Sequence, residues 1–182
     1  MRMIAIIGKT CVGKTFLLDK ARDLGYSTLN CDHFFTEQYK FGNKCYELIK
    51  ENLGKEYVNE DAVDKKRLKK FISIEKNKDL LEKLIFPVLF EHLQQYNYDF
   101  VEIPILYNEN VDFKGFFDKT LNIIASMETR RKILKFKNVD NYDFEYFDSI
   151  NTGFSKPDNV DINMDNISIN MDWKVFFKRY YV

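Results

Sequence analysis

The sequence predicts an α/β fold built on a parallel sheet, and three observations carry that prediction. The run Met3-Ile-Ala-Ile-Ile7 is continuously apolar and β-prone, with none of the polar alternation of a strand that faces water on one side. A glycine-bounded turn and an amphipathic helix follow it directly. Further along, strand-like and helical runs alternate, the pattern of helices packed on a parallel sheet.

Each element has its own reason. After the first strand, Gly8 to Gly13 forms a turn, and Lys14 to Leu24 reads as a helix with Phe16, Leu17, Leu18, Ala21 and Leu24 on one face and Gly25 as its stop. Ser27 to Cys31 is the second strand, expected to run parallel to the first and beside it. From Phe34 to about Asn97 the pattern is helical. One segment carries Tyr46, Leu48, Ile49 and Leu53 and ends at Gly54; a second spans Val63 to Ile72; a third spans Glu75 to Tyr96, where Pro87 is expected to kink or split it. Asp99 to Ile103 is the third strand and Lys119 to Ala125 the fourth. Residues 126–138 form a basic helix capped by Ser126, with Glu128 and Thr129 in its first turn. Asp140 to Ile150 reads as a further helix, Asn159 to Met164 as a short fifth strand, and Trp173 to Tyr181 as a closing helix.

Composition narrows the function classes. Lysine plus arginine equals aspartate plus glutamate at 28 each, which argues against a chain that coats nucleic acid. No apolar stretch reaches membrane length, so no membrane role and a cytoplasmic location are expected. Cys11, Cys31 and Cys45 have no metal-ligand spacing, and His33 and His92 do not complete a zinc set; reduced thiols are expected.

The first turn carries chemistry. Gly8-Lys9-Thr10-Cys11-Val12-Gly13-Lys14-Thr15 matches the phosphate-loop pattern of glycine, four residues, then Gly-Lys-Ser/Thr. Backbone N–H groups of such a loop form an anion nest, and the following helix adds its positive end. Lys14 then bridges the β- and γ-phosphates of a nucleotide, and the Thr15 hydroxyl takes a position on Mg²⁺. The interior positions carry side chains, so the loop is expected to be built mainly from right-handed conformers, with Gly8 and Gly13 taking any strained angles. No Asn-Lys-x-Asp base reader of GTPases is present. Asp32, just past the second strand, is placed to orient and deprotonate an acceptor hydroxyl, and equally to cap a helix starting at His33.

Together these segments resemble the dephospho-coenzyme A kinase family over nearly the whole chain. The stretch "DLGYSTLNCD" is similar to the family's Leu-Gly, strand, Asp-x-Asp, with Asn30 in the first acid position and Asp32 in the second, the family's catalytic acid. "VDKKRLKKFI" resembles its Asp-Arg-x-x-Leu, with Lys65 for the arginine and Leu68 kept. "LEKLIFPVLFEHL" has Phe86 for a histidine and keeps Pro87. "VEIPILYNE" keeps Pro104 and Leu106, with Asn108 where glutamate is usual. "PDNVDINMD" resembles the closing segment, with Asp158 and Asn163. In the lid helix, Ile133 and Lys137 stand where the family has arginines, while Arg130 and Arg131 lie about one turn earlier.

The resemblance implies a three-layer P-loop NTPase fold with a five-stranded parallel sheet, a helical substrate-binding flap over about residues 33–97, and a lid over about 126–138, all within a single kinase domain. It implies transfer of the ATP γ-phosphoryl to the ribose 3′-hydroxyl of dephospho-coenzyme A, the last step of coenzyme A synthesis, with Mg²⁺. Asp32, Lys14 and Arg130 would be catalytic. Gly8 to Thr15 and Asn163 would bind ATP. Asp32, Phe34, Tyr39, Lys65, Leu68, Phe86, Pro87, Pro104 and Leu106 would contact the acceptor. A small-molecule substrate, no nucleic acid, and a monomer or small homo-oligomer are expected. Arg130, Arg131 and Lys137 remain alternatives for the lid cation. Two other readings stay open: a nucleoside or nucleotide monophosphate kinase, and a nucleotide-binding protein with weakened catalysis.

Overall fold

The computed structural model describes residues 3–137, 144, 156–168 and 170–181. They divide into two compact units, one of the described residues within 3–30, 97–107 and 114–181 and one of residues 31–96 and 108–113.

The first unit holds a five-stranded sheet in which every pairing is parallel. Its strands are β1 (Met3–Gly8), β2 (Thr28–Asn30), β3 (Phe100–Glu102), β4 (Phe117–Ile124) and β5 (Val160–Asn163), in the order β2-β3-β1-β4-β5. All six residues of β1 are buried, as expected of a central strand. The order corrects one expectation. β2 does not lie beside β1; β3 sits between them, with Ile6 opposite Glu102 on one side and Asn30 opposite Glu102 on the other. The crossover from β1 through α1 (Lys14–Asp23) therefore skips one strand position.

One core ties this unit together. Ile4, Ile6, Leu17, Leu18, Phe100, Leu121, Ile123, Ile162 and Phe177 pack in a single cluster, into which the loop residue Val12 also points. The closing helix Trp173–Tyr181, here α7, enters through Phe177, whose ring meets Phe100 edge-on at 5.1 Å. Replacing a fully buried phenylalanine of this kind by alanine costs about 3–5 kcal/mol.

The second unit is helical: α2 (Cys31–Gln38), α3 (Lys44–Asn52), α4 (Lys65–Ile72) and α5 (Glu75–Gln95). α4 begins where Asp64 accepts the backbone N–H groups of Lys66 and Arg67, an N-cap. Two antiparallel bridges, Lys40 to Ala62 and Val58 to Val63, close the segment before α4, which the helical pattern did not predict. α5 is not split at Pro87; it runs through it. The proline is on the exposed side, where the Lys83 carbonyl that loses its donor can meet solvent. The helix expected over 140–150 lies outside the described residues, apart from Phe144.

Candidate active site

The turn after β1 leads into α1 through Gly13, whose φ of 101° is left-handed. Gly8 is left-handed as well, at 140°, and a Cβ there would stand 2.4 Å from the Ile123 carbonyl oxygen of the neighbouring strand. The two glycines thus take strained angles as expected. Cys11 does so too, with φ of 59°, the one described non-glycine residue with positive φ. That corrects the expectation that Gly8 and Gly13 take the loop's strained angles by themselves. Val12 explains another missing glycine, since its side chain is buried in the core and anchors the loop.

Cationic side chains hold three successive loop carbonyls. Lys14 Nζ donates to the Gly8 oxygen at 2.9 Å and the Lys9 oxygen at 2.8 Å. Arg130 Nε donates to the Thr10 oxygen at 3.0 Å. Arg130 belongs to α6 (Met127–Phe136), is only 4% exposed, and lies over the Phe144 ring at 4.8 Å. Arg131, its neighbour, is exposed. Lys137 just past the helix acts on the Cys11 thiol more strongly than Arg130 or Lys14 does; the three cations oppose the burial that pushes that thiol up.

Beside the loop stands a carboxylate that sequence reasoning passed over. Glu102 ends β3 and is 4% exposed. Its Oε2 accepts the Asn30 amide at 2.6 Å, and its Oε1 lies 3.5 Å from the Thr15 hydroxyl. The signal was present: an acid closing the apolar run "FVE" at the carboxyl end of a strand, the edge where α/β sheets bind ligands. Thr15 and Glu102 offer the hard oxygen ligands that Mg²⁺ prefers, one or two from protein and the rest from phosphates and water. The donor set therefore fits the ion.

The end of β5 is fixed to the start of α6. Asn163 Oδ1 accepts the Asp165 N–H at 3.0 Å. Asp165 accepts the Ser126 N–H at 2.8 Å and the Ser126 hydroxyl at 3.1 Å, while the Ser126 oxygen caps α6 through the Thr129 N–H. Met164 packs over Gly13, 3.1 Å from where a Cβ would stand.

The remaining predicted residues fall as follows. Asp32 follows Asn30 by two residues and is exposed in the first turn of α2. The helix begins at Cys31, so Asp32 is not the cap of a helix starting at His33. Burial, then the Cys45 and Asp32 charges, push the Tyr39 hydroxyl well above its ordinary range, which puts Asp32 within electrostatic reach of that ring. Phe34 and Phe86 are buried within the second unit, Phe34 against His92 at 4.8 Å and Phe86 against Phe35 at 6.0 Å. Leu68 and Leu106 are also buried. Lys65 donates to the Thr36 hydroxyl at 3.2 Å. Pro87 is exposed and Pro104 half-buried. The three cysteines are free thiols.

Comparison with known proteins decides the family. The family model described as "Dephospho-CoA kinase" matches residues 2–151. The chain belongs to the dephospho-CoA kinase family. It is 31% identical to the dephospho-CoA kinase of Mycoplasma pneumoniae over 146 residues, 76% of this chain and 73% of that one. The corresponding Mycoplasma genitalium protein is 33% identical over 131 residues, 66% of this chain and 65% of its own. Among solved structures, TT1252 from Thermus thermophilus superposes with a TM-score of 0.73 at 20% identity, covering 98% of this chain and 95% of that chain. That likeness shows a fold shared along nearly the whole of both chains. Membership of this family makes the protein a kinase, for which ATP is the phosphoryl donor. No described helix is long and apolar enough to cross a membrane.

Proposed function

We propose that this protein transfers the γ-phosphoryl of ATP to the ribose 3′-hydroxyl of dephospho-coenzyme A, giving coenzyme A and ADP. The observation that carries the reading is the phosphate loop with Lys14 and Thr15 opening α1 and the buried Glu102 beside them, in a chain of this family. Lys14 draws negative charge from the β- and γ-phosphates. Thr15 and Glu102 would hold Mg²⁺, which when bound supplies the charge that offsets that of the phosphates. Asp32 accepts the proton of the acceptor hydroxyl as its oxygen bonds to the γ-phosphorus; the bond from that phosphorus to the β-bridging oxygen breaks and ADP leaves. The Asn163 to Asp165 turn, beside Gly13 through Met164, is the segment assigned to ATP. The acceptor is assigned to the second unit, where Asp32, Tyr39, Lys65 and Pro87 are the predicted contacts that retain exposed surface.

A coupled ADP-release assay tests this. Turnover with dephospho-coenzyme A, and none with nucleosides or nucleoside monophosphates, is the expected result. Turnover only with the latter would overturn the acceptor assignment.

A further inference from the structure

We infer that Arg130 is a positioning residue that holds the phosphate loop in its anion-receiving shape, acting through the Thr10 carbonyl rather than on the transferring phosphoryl group. The inference rests on the ATP site proposed above.

A peptide unit is planar and trans, so its C=O and the next residue's N–H point in opposite directions. Fixing the Thr10 oxygen therefore fixes the Cys11 N–H. Arg130 fixes that oxygen through Nε at 3.0 Å, with its guanidinium buried over Phe144. The peptide it holds leads into Cys11 at φ 59°, a conformation that a side chain disfavours but an anion nest needs. Glycine would take this angle without strain; the loop has cysteine there, and Arg130 stabilises what a glycine would supply without help. Lys14 holds the two preceding carbonyls, so residues 8–10 all turn their oxygens toward cations. Arg130 lies four residues from the buried Leu134, on the buried side of α6, whereas Arg131 is exposed.

The test is ATP titration without acceptor, alongside steady-state kinetics, on Arg130→Met in the parent and in the Cys11→Gly background. Arg130→Met keeps the buried apolar stem and removes the donor. ATP affinity is expected to fall by about tenfold in the parent, as for loss of a charged hydrogen bond. The loss is expected to be clearly smaller in the Cys11→Gly background, because glycine takes the left-handed angle unaided. The acceptor KM is expected to hold. Unchanged ATP affinity with a lower kcat would make Arg130 a phosphoryl contact and overturn the proposal; so would an equal loss in both backgrounds. Should Arg130→Met fail to give a cooperative melt, Arg130→Lys, which keeps a cationic donor of different reach, is read in both backgrounds: a loss of ATP affinity smaller than that of a lost donor, and smaller again in the Cys11→Gly background, is expected, and an equal loss in both backgrounds or unchanged affinity with a lower kcat overturns the proposal. Because binding is read without an acceptor, the result stands apart from whether dephospho-coenzyme A is the substrate.

Discussion

The Thr15 hydroxyl, in the first turn of α1, lies 3.5 Å from Oε1 of Glu102, the last residue of β3. Residues distant in sequence thus bring a hydroxyl and a buried carboxylate to one edge of the sheet. If they share Mg²⁺, Glu102→Gln keeps the shape and the Asn30 contact but removes the charge. Its kcat/KM is expected to fall by about 10²–10³-fold, the scale of one lost electrostatic contact to a reacting phosphate. Half-saturation in a MgCl₂ titration is expected to move to higher concentration. An unmoved Mg²⁺ dependence would leave Glu102 as a purely structural acid.

Gly8 and Gly25 make a matched pair for the loop's backbone. Both are left-handed, at φ 140° and 88°, but a Cβ on Gly8 would meet the Ile123 oxygen at 2.4 Å while one on Gly25 meets nothing within 4 Å. Gly25→Ala is expected to cost only the conformational term, about 1 kcal/mol. Gly8→Ala adds a backbone clash between neighbouring strands and is expected to cost more than about 3 kcal/mol. Urea melts read both, and equal losses would show that the strand spacing relaxes freely.

Much of this architecture was legible in the chain, for reasons that differ by element. β1 and α7 were clear because their apolar patterns match one structure only, and α7 has the predicted ends. The loop was clear because its glycines and Lys14 are spaced by the chemistry of phosphate. Strand order was not, because the apolar runs of β2 and β3 carry no label for which lies beside β1. The left-handed Cys11 was hidden because its angle is set by Arg130, 119 or more residues away in the chain, rather than by its neighbours. Arg130 itself read as a catalytic lid cation; its spacing from Leu134 was the signal of burial.

Asp165 gives a pH dependence. Hydrogen bonds from the Thr129 hydroxyl and the Ser126 N–H hold its carboxyl below the usual range. A carboxyl whose folded value is depressed stabilises the fold fully above its unfolded value, near pH 4, and loses that contribution as pH falls through the lower folded value. Asp165→Asn is therefore expected to lower the melting temperature at neutral pH. The gap to the parent should close as pH falls below about 4. Thermal melts from neutral to acid pH read this, and a gap that stays constant would remove the ionised carboxylate from the account.

Asp32 bears most directly on the reaction. It is exposed, two residues beyond the end of β2, and its charge is felt by the Tyr39 hydroxyl. Asp32→Asn preserves size and the helix start while removing the proposed base. The expected result is a fall in kcat of about 10²–10⁴-fold, the range of general-base catalysis. ATP affinity, measured by titration, should stay near that of the parent, because the proposed role places Asp32 on the acceptor and not on the donor. Asp32→Glu is expected to recover part of the rate, since it restores a base at a displaced position. Parent-like turnover in Asp32→Asn would remove this residue from the mechanism; a loss of ATP affinity equal to the loss of rate would move it to the nucleotide site.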